Sequence, residues 1–333
     1  MIPPSLEHAV FGIFSTSALH LADSHGVFTH LVDHERASTQ DLSTALGVDE
    51  ETLGRLLRVL VAFGVLRHAD GGRYRLADGV APYVDSRDPR YLMGFVEHLI
   101  ESTNQRLPQL DAYLAKGKHV VDAELPAPFD VLYRDEESTG QFLAAMWQLS
   151  FHVSYELAEL AQLGDTRELV DVGGANGPFS VAALLTNPEL RSTVFDLPQV
   201  EPFLTANAGR YQLEDRLAFR GGNFFTDPLP TGDCVAFGYI LSDWDDETCA
   251  MLLRKAFEAC RPGGRVLVMD RLFDENREGP LATAVMNLSM YFETEGRHRT
   301  AGEYLALMTD AGFTGCAVYR STADKHLLAG HRA

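Results

Sequence analysis

Long apolar runs are missing from this 333-residue chain. No stretch reaches the length of a membrane span, and the amino terminus shows neither the basic nor the apolar region of a signal peptide. Cysteine is scarce: Cys234, Cys249, Cys260 and Cys316 form no CxxC pair, so neither a zinc site nor a disulfide framework is indicated. Basic residues are few as well. The 28 Lys and Arg against 47 Asp and Glu leave a net charge of -19, which repels a phosphate backbone. Together these absences predict a soluble protein of a reducing cytoplasm with neither nucleic acid nor membrane as partner. What is present is ordinary for a globular protein, 46% hydrophobic and 23% charged residues, without repeats or low-complexity tracts. The length predicts two domains.

Apolar clusters at helical spacing between Leu6 and Leu31 predict two helices rich in apolar surface. A short helix follows a cap at Ser38 or Thr39 and ends at Gly47. The next runs from Asp49 through Phe63 and hands over to a strand pair turning at Gly71 and Gly72. This is a winged-helix pattern, which serves either transcription regulators or dimerisation. The third helix offers only Arg55 and Arg58 against Asp49, Glu50 and Glu51, whereas a major-groove reader needs several basic or amide side chains. Protein contact is the favoured reading.

Between Asp88 and Leu163 the pattern is helical, broken most clearly by the Pro-containing stretch Ala123 to Pro128. Seven short apolar runs follow, separated by helical segments: Glu168 to Gly173, Thr193 to Leu197, Leu217 to Gly221, Cys234 to Leu241, Arg265 to Asp270, Gly315 to Arg320 and His326 to Ala329. The alternation predicts an α/β fold, a parallel sheet with an extra hairpin at its end. A helix from Thr248 to Cys260 is expected to stop at a Pro262, Gly263, Gly264 turn before its strand.

The first run reads LVDVGGANGPF over 169–179, an apolar strand carrying Asp171 near its end and breaking into glycines before a helix. At the carboxyl end of the first strand of a doubly wound sheet, Gly173, Gly174 and Gly177 let backbone and ligand approach closely. A dinucleotide fingerprint requires G-x-G-x-x-G, but Val172 holds the first glycine position, and Asp171 would oppose an anionic pyrophosphate. S-adenosylmethionine fits better, since it has no phosphate and carries a sulfonium and an ammonium. The second strand ends in Asp196, placed to accept from both hydroxyls of a ribose.

Beyond these single motifs, six in order at compatible spacing carry a family resemblance: LVDVGGANG, the VFDLP ending at Pro198, GGNFFTDPLP over 221–230, LSDWDDE over 241–247, RPGGRVLVMD over 261–270, and GRHRT over 296–300 followed by AGF at 311–313. Nearly end to end, to His331, the chain resembles the small-molecule O-methyltransferases of the plant caffeate type and their bacterial relatives from antibiotic and pigment biosynthesis. The resemblance implies a Rossmann-like methyltransferase sheet, S-adenosyl-L-methionine as cofactor, and a homodimer built through an N-terminal winged-helix domain at 1–100. The methyltransferase domain would occupy 101–333, with 101–163 a helical connector that lines the substrate pocket. It further implies that Asp171, Gly173 and Gly174 hold the methionine part, Asp196 the ribose and Asn223 and Phe224 the adenine, with Leu197 and Tyr239 also contacting the cofactor. Gly238 stands where many relatives have a basic residue near the cofactor, so that contact is missing.

One departure bears on the chemistry. Typical members have a histidine base where this chain has Ser242, and a serine hydroxyl does not titrate near neutral pH. Near the acceptor, the resemblance leaves Asp243, Asp270 and His298, the last two standing where relatives have acids that orient the missing histidine. His298 is the best replacement base, because imidazole titrates near neutrality; a packing role is the alternative. Asp243 either contacts substrate or caps the helix beginning near Glu247. The substrate pocket is expected to draw on Phe142, Met146, Trp147, His152, Tyr239, Leu288 and Glu293, and a carboxylate of Glu293 or Glu295 facing it would suit an amine. Methylation of a small aromatic acceptor in secondary metabolism leads, on oxygen by family frequency, with nitrogen or carbon open because of Ser242. A cofactor-binding relative that decarboxylates or hydroxylates is the second reading.

Overall fold

The computed structural model describes residues 2–122, 131–291 and 294–333. The loop expected over Ala123 to Pro128 lies outside the described residues, as does Glu293. No described helix is long and apolar enough to cross a membrane. The chain divides into two compact units, Met1–Gln105 and Arg106–Ala333, the division falling within the helix Met93–Lys116.

In the first unit, helices Pro4–Ser24, Val27–His34, Thr39–Leu46 and Glu50–Ala62 precede an antiparallel hairpin of β1 (Leu66–Ala69) and β2 (Arg73–Leu76). Local chemistry sets these boundaries. Ser38 and Asp41 form a capping box, Gly47 closes the same helix in the left-handed region, and Asp49 caps the next by accepting from the Thr52 N–H. Phe28, Leu31, Leu42, Leu57, Leu60 and Leu66 form the buried core. The first helix contributes little to that core with its outer side, where Val10, Ile13 and Phe14 are 57%, 70% and 67% exposed.

The second unit is an eight-stranded sheet with helices on both faces. Its strands are β3 (Glu168–Val172), β4 (Arg191–Asp196), β5 (Leu217–Gly221), β6 (Gly232–Gly238), β7 (Cys260–Phe273), β8 (Arg299–Thr300), β9 (Thr314–Tyr319) and β10 (Lys325–His331). They lie in the order β5-β4-β3-β6-β7-β10-β9, with β8 against the end of β7. The pairs from β5 through β7 are parallel, while β10 runs antiparallel to both β7 and β9, which is the expected hairpin. The chain winds outward from β3 through β4 and β5, then returns to place β6 on the other side of β3. That reversal opens a crevice between the carboxyl ends of β3 and β6. Separate apolar clusters cover the two faces, one around Leu157, Leu184 and Leu267, the other around Phe237, Leu252 and Val268.

Two expectations change. The helix before β7 spans Asp246–Ala259, and Cys260 passes straight into the strand. The Pro262, Gly263, Gly264 segment is therefore a bulge within the β6–β7 ladder, whose register shifts between Gly232 and Cys234, rather than a turn before it. The cap of that helix is Asp245, which accepts from the Thr248 N–H at 2.8 Å, so Asp243 is not the capping residue.

β8 was not foreseen, and it carries an anchor. Arg299 is fully buried and donates to the carbonyls of Leu241 and Trp244, each at 2.8 Å, and to Asp246 at 2.7 and 2.9 Å. It ties the turn after β6, Leu241–Asp243, to the end of β7. Replacing Arg299 by Met would remove the guanidinium donors of both carbonyls, leaving the Trp244 carbonyl the weak Cys249 thiol and the Leu241 carbonyl that thiol and a long contact from the Trp244 N–H, at a cost of about 1–3 kcal/mol for each under-satisfied group. The expected outcome is a lower urea midpoint at unchanged slope.

Candidate active site

A pocket enclosing about 660 Å³ of empty space, part of it open to solvent, occupies the crevice. Asp171, Gly173, Gly174 and Ala175 form its floor after β3; Gly238, Tyr239, Ile240 and Asp243 form the wall after β6. Phe142, Met146, Ser150 and Ser154 face it from the helix Glu136–Ala161, and Lys325 enters from β10. The floor needs glycine. Gly173 has φ +66°, and a Cβ there would lie 2.4 Å from Ile240 Cδ1; a Cβ on Gly174 would lie 2.7 Å from Asp171 Cγ. Ala175 and Tyr239 hold φ of 51° and 60°, strained for residues with side chains, and both stand at the cavity.

Two carboxylates set the electrostatics. Asp171 is buried and accepts from Ser180 Oγ at 2.7 Å. Burial pushes its pKa up to about 6 against the pull of the Ser180 hydroxyl and the Lys325 charge. Asp196 is likewise pushed up to about 6 by burial, opposed by the N–H groups of Leu197 and Ala175, which donate to it at 2.7 and 2.8 Å. Since the Ala175 N–H is given to Asp196, the glycine turn does not form the set of free N–H donors that a pyrophosphate requires. A close-approach floor edged by two desolvated carboxylates fits a cationic nucleoside, and S-adenosylmethionine fits the residues present.

The other expected cofactor residues lie nearby in part. Leu197 is half-buried beside Asp196. Asn223 is exposed and its Oδ1 accepts from the Phe225 N–H, while Phe224 meets Phe225 and Trp244 edge-on.

Of the expected catalytic group, only Asp243 reaches the cavity wall. Ser242, Asp270 and His298 are buried behind it. His298 Nδ1 stands 3.3 Å from Asp270 Oδ1, and Asp270 also accepts from the Tyr304 hydroxyl and the Arg271 N–H, each at 2.8 Å. Burial works to raise the Asp270 pKa, but His298, the Tyr304 hydroxyl and the charge of Lys325 outweigh it and hold the carboxyl below its ordinary value. The His298–Asp270 contact is an electrostatic pairing off hydrogen-bond geometry: both ring nitrogens of His298, and Ser242 Oγ, lack a hydrogen-bond partner among the described residues.

The expected substrate residues separate. Met146 and Tyr239 line the cavity, as does Phe142. Trp147 instead stacks on Phe151 at 4.2 Å between ring centres and packs against the core. His152 is exposed on its helix and Leu288 is 51% exposed, so neither joins the cavity wall. Glu293 lies outside the described residues, and the Glu295 carboxylate is 3.9 Å from Lys118 Nζ rather than in the cavity. Helical spacing placed these side chains on one segment, but only the turns facing the crevice meet it. Tyr133 and Lys325 line the cavity and were not anticipated. The sequence signal for Lys325 is weak, a lone lysine opening a strand whose middle, Leu327 to Gly330, is apolar.

Comparison with known proteins agrees with this geometry. The O-methyltransferase domain profile matches residues 105–314, and the O-methyltransferase dimerisation domain profile matches residues 7–82. The chain is 31% identical over 277 residues, 82% of its own length and 80% of the relative's, to the tetracenomycin polyketide synthesis 8-O-methyl transferase of Streptomyces glaucescens. It is 30% identical over 303 residues, 89% of this chain and 86% of the other, to an N,N-dimethyltransferase of Streptomyces rimosus. The structure of human N-acetylserotonin methyltransferase in complex with S-adenosylmethionine superposes with a TM-score of 0.88 at 25% identity, covering 98% of this chain and 96% of that one. The chain therefore belongs to the O-methyltransferase family and is an S-adenosylmethionine-dependent methyltransferase.

Proposed function

We propose that this enzyme methylates a hydroxyl of a small aromatic acceptor in secondary metabolism, with the cofactor held across the carboxyl ends of β4, β3 and β6. The observation that carries this reading is the cavity itself: a glycine floor and Asp171 on one side, Tyr133, Phe142 and Met146 on the other. The first side suits a sulfonium and the second a flat apolar ring. In this reading Asp171, Gly173 and Gly174 hold the methionine part, Asp196 accepts from the ribose hydroxyls, and Asn223, Phe224 and Leu197 flank the adenine. Oxygen leads as the acceptor atom because the family profile and the Streptomyces glaucescens relative are both O-methylating by description.

The bound cofactor supplies a methyl group on a good leaving group, a sulfonium that departs as a neutral thioether. The protein's share is to hold the acceptor oxygen in line with that methyl, keep water out and remove the acceptor proton. Ser242 cannot serve as the base, so the proton passes to His298, with Asp270 stabilising the imidazolium. His298 is fully buried, so a relay must reach it. Ser242, whose Oγ is also buried and unpartnered among the described residues, has the donor and acceptor capacity to provide one.

Incubation with methyl-labelled cofactor and a panel of phenolic and amino-aromatic acceptors tests the reading. Label is expected in phenols; transfer to amines alone would move the acceptor to nitrogen, and transfer to neither would overturn the proposal. His298→Ala is expected to lower kcat by about 10²-fold or more with cofactor affinity unchanged, less so with more acidic phenols. Ser242→Ala should act in the same direction and combine with it less than additively.

A pH dependence also follows. The ionised forms of Asp171 and Asp196 attract the cation, and both carboxyls sit near pKa 6, so S-adenosylmethionine affinity should fall as pH drops through about 6. S-adenosylhomocysteine, without the sulfonium charge, should show a shallower fall by calorimetry.

Dimerisation is proposed through the first unit, where the matched dimerisation domain coincides with the exposed apolar side of the helix Pro4–Ser24. Ile13→Glu with Phe14→Glu is expected to shift sedimentation from dimer toward monomer; an unchanged coefficient would remove this helix from the interface.

A further inference from the structure

Lys325 is 3% exposed and opens β10 at the cavity, where it is the one cation in the lining among the described residues. Its ammonium is not paired with a carboxylate among those residues. It lies instead 3.5 Å from the ring centre of Tyr239, the residue held at positive φ. The neighbouring Arg271 is committed elsewhere, to Asp324. Lys325 Nζ also sits 4.0 Å from where a Cβ on Gly238 would stand, so the space beside Gly238 is filled by a charge delivered from the antiparallel strand.

The sheet order says which part of the ligand meets this charge. Asn223 follows β5, Asp196 ends β4, Asp171 and the glycine floor belong to β3, Gly238 ends β6, and Lys325 begins β10 beyond β7. Neighbouring strands stand about 4.8 Å apart, so a nucleoside laid with its ribose at β4 and its sulfur over β3 extends its amino-acid tail toward β6 and beyond. That tail ends in an ammonium and a carboxylate. Asp171 supplies the counter-charge for the cationic part, but an α-carboxylate entering a crevice edged by Asp171, Asp196 and Asp243 needs a cation of its own.

We infer that Lys325 is the anchor for the α-carboxylate of S-adenosylmethionine, reaching from β10 into the space beside Gly238. The inference rests on the cofactor placement proposed above. Burial pushes the Lys325 pKa down to about 7; Asp270, Asp171 and Asp324 raise it and Arg271 lowers it further, while Tyr239 offers its ring face. An anion placed against the ammonium favours the charged form, so binding and protonation of Lys325 reinforce each other.

The test compares two ligands by calorimetry at pH 7: S-adenosylmethionine, and decarboxylated S-adenosylmethionine, which keeps the sulfonium and ammonium but lacks the carboxylate. The native protein should bind the decarboxylated ligand about 10- to 100-fold more weakly. In Lys325→Met, and in Lys325→Gln should the first variant fold poorly, S-adenosylmethionine affinity should drop until the two ligands bind alike. Adding Gly238→Lys to Lys325→Met should restore the discrimination, because the new ammonium would rise from β6 into the same space. Equal binding of both ligands by the native protein, or discrimination that survives loss of Lys325, would overturn the assignment. Asp196→Asn separates this from the underlying placement: it should weaken both ligands equally. If it weakens neither, the cofactor placement fails; if it weakens both while the Lys325 variants still discriminate between the two ligands, only the anchor fails.

Discussion

A buried carboxylate, Asp171, pressed against a turn that tolerates only glycine is the constraint from which the rest of the site follows. Its Cγ would stand 2.7 Å from any Cβ at position 174, so the chain must pass over it as bare backbone. The carboxylate survives burial because Ser180 donates to it, and Ser180 in turn meets Ser192 at 2.8 Å on the neighbouring strand. β3 and β4 are thereby linked beneath the floor as well as through their ladder. The neighbouring Asp196 takes the Ala175 N–H, which orients the turn from its far side. The result is a floor shaped and charged for a cationic ligand before any ligand arrives, the kind of preorganisation that methyl transfer exploits.

The two faces of the sheet divide the remaining work. Asp270 of β7 serves the His298 and Tyr304 side, while Lys325, paired with the following residue Arg271 across the β7–β10 ladder, lines the cavity. Lys325 influences both Asp171 and Asp270 electrostatically, so the proposed anchor and the proposed base share one field. A change in either charge is felt by the other. Arg299 adds the mechanical part, fixing the Leu241–Asp243 turn so that Asp243 meets the cavity and Ser242 lies behind it.

Much of the architecture was readable from local chemistry. Ser38, Gly47 and Asp49 set helix ends through caps, Gly71 and Gly72 make a hairpin turn at φ +74° and +71°, and the apolar runs coincide with strands to within a few residues. Errors arose where a local signal had two solutions. Pro262, Gly263 and Gly264 suggest a turn, yet the β6 partner holds them as a bulge inside a ladder. Asp243 and Asp245 both suit a cap, and the turn Leu241–Asp243 leaves only the latter in place to accept from Thr248.

The sequence by itself determined the acid at each strand end, the glycine floor, the loss of a titratable side chain at Ser242 and the excess of negative charge, because these depend on residue identity and short-range order. Tertiary structure alone decided which side chains meet. Trp147 turns into the core beside Phe151 while Met146, one residue earlier, faces the cavity, since a helix sends neighbours about 100° apart. Likewise Lys325 reaches the crevice only because β10 is threaded antiparallel beside β7, more than 150 residues along the chain from Asp171 and yet within its electrostatic reach.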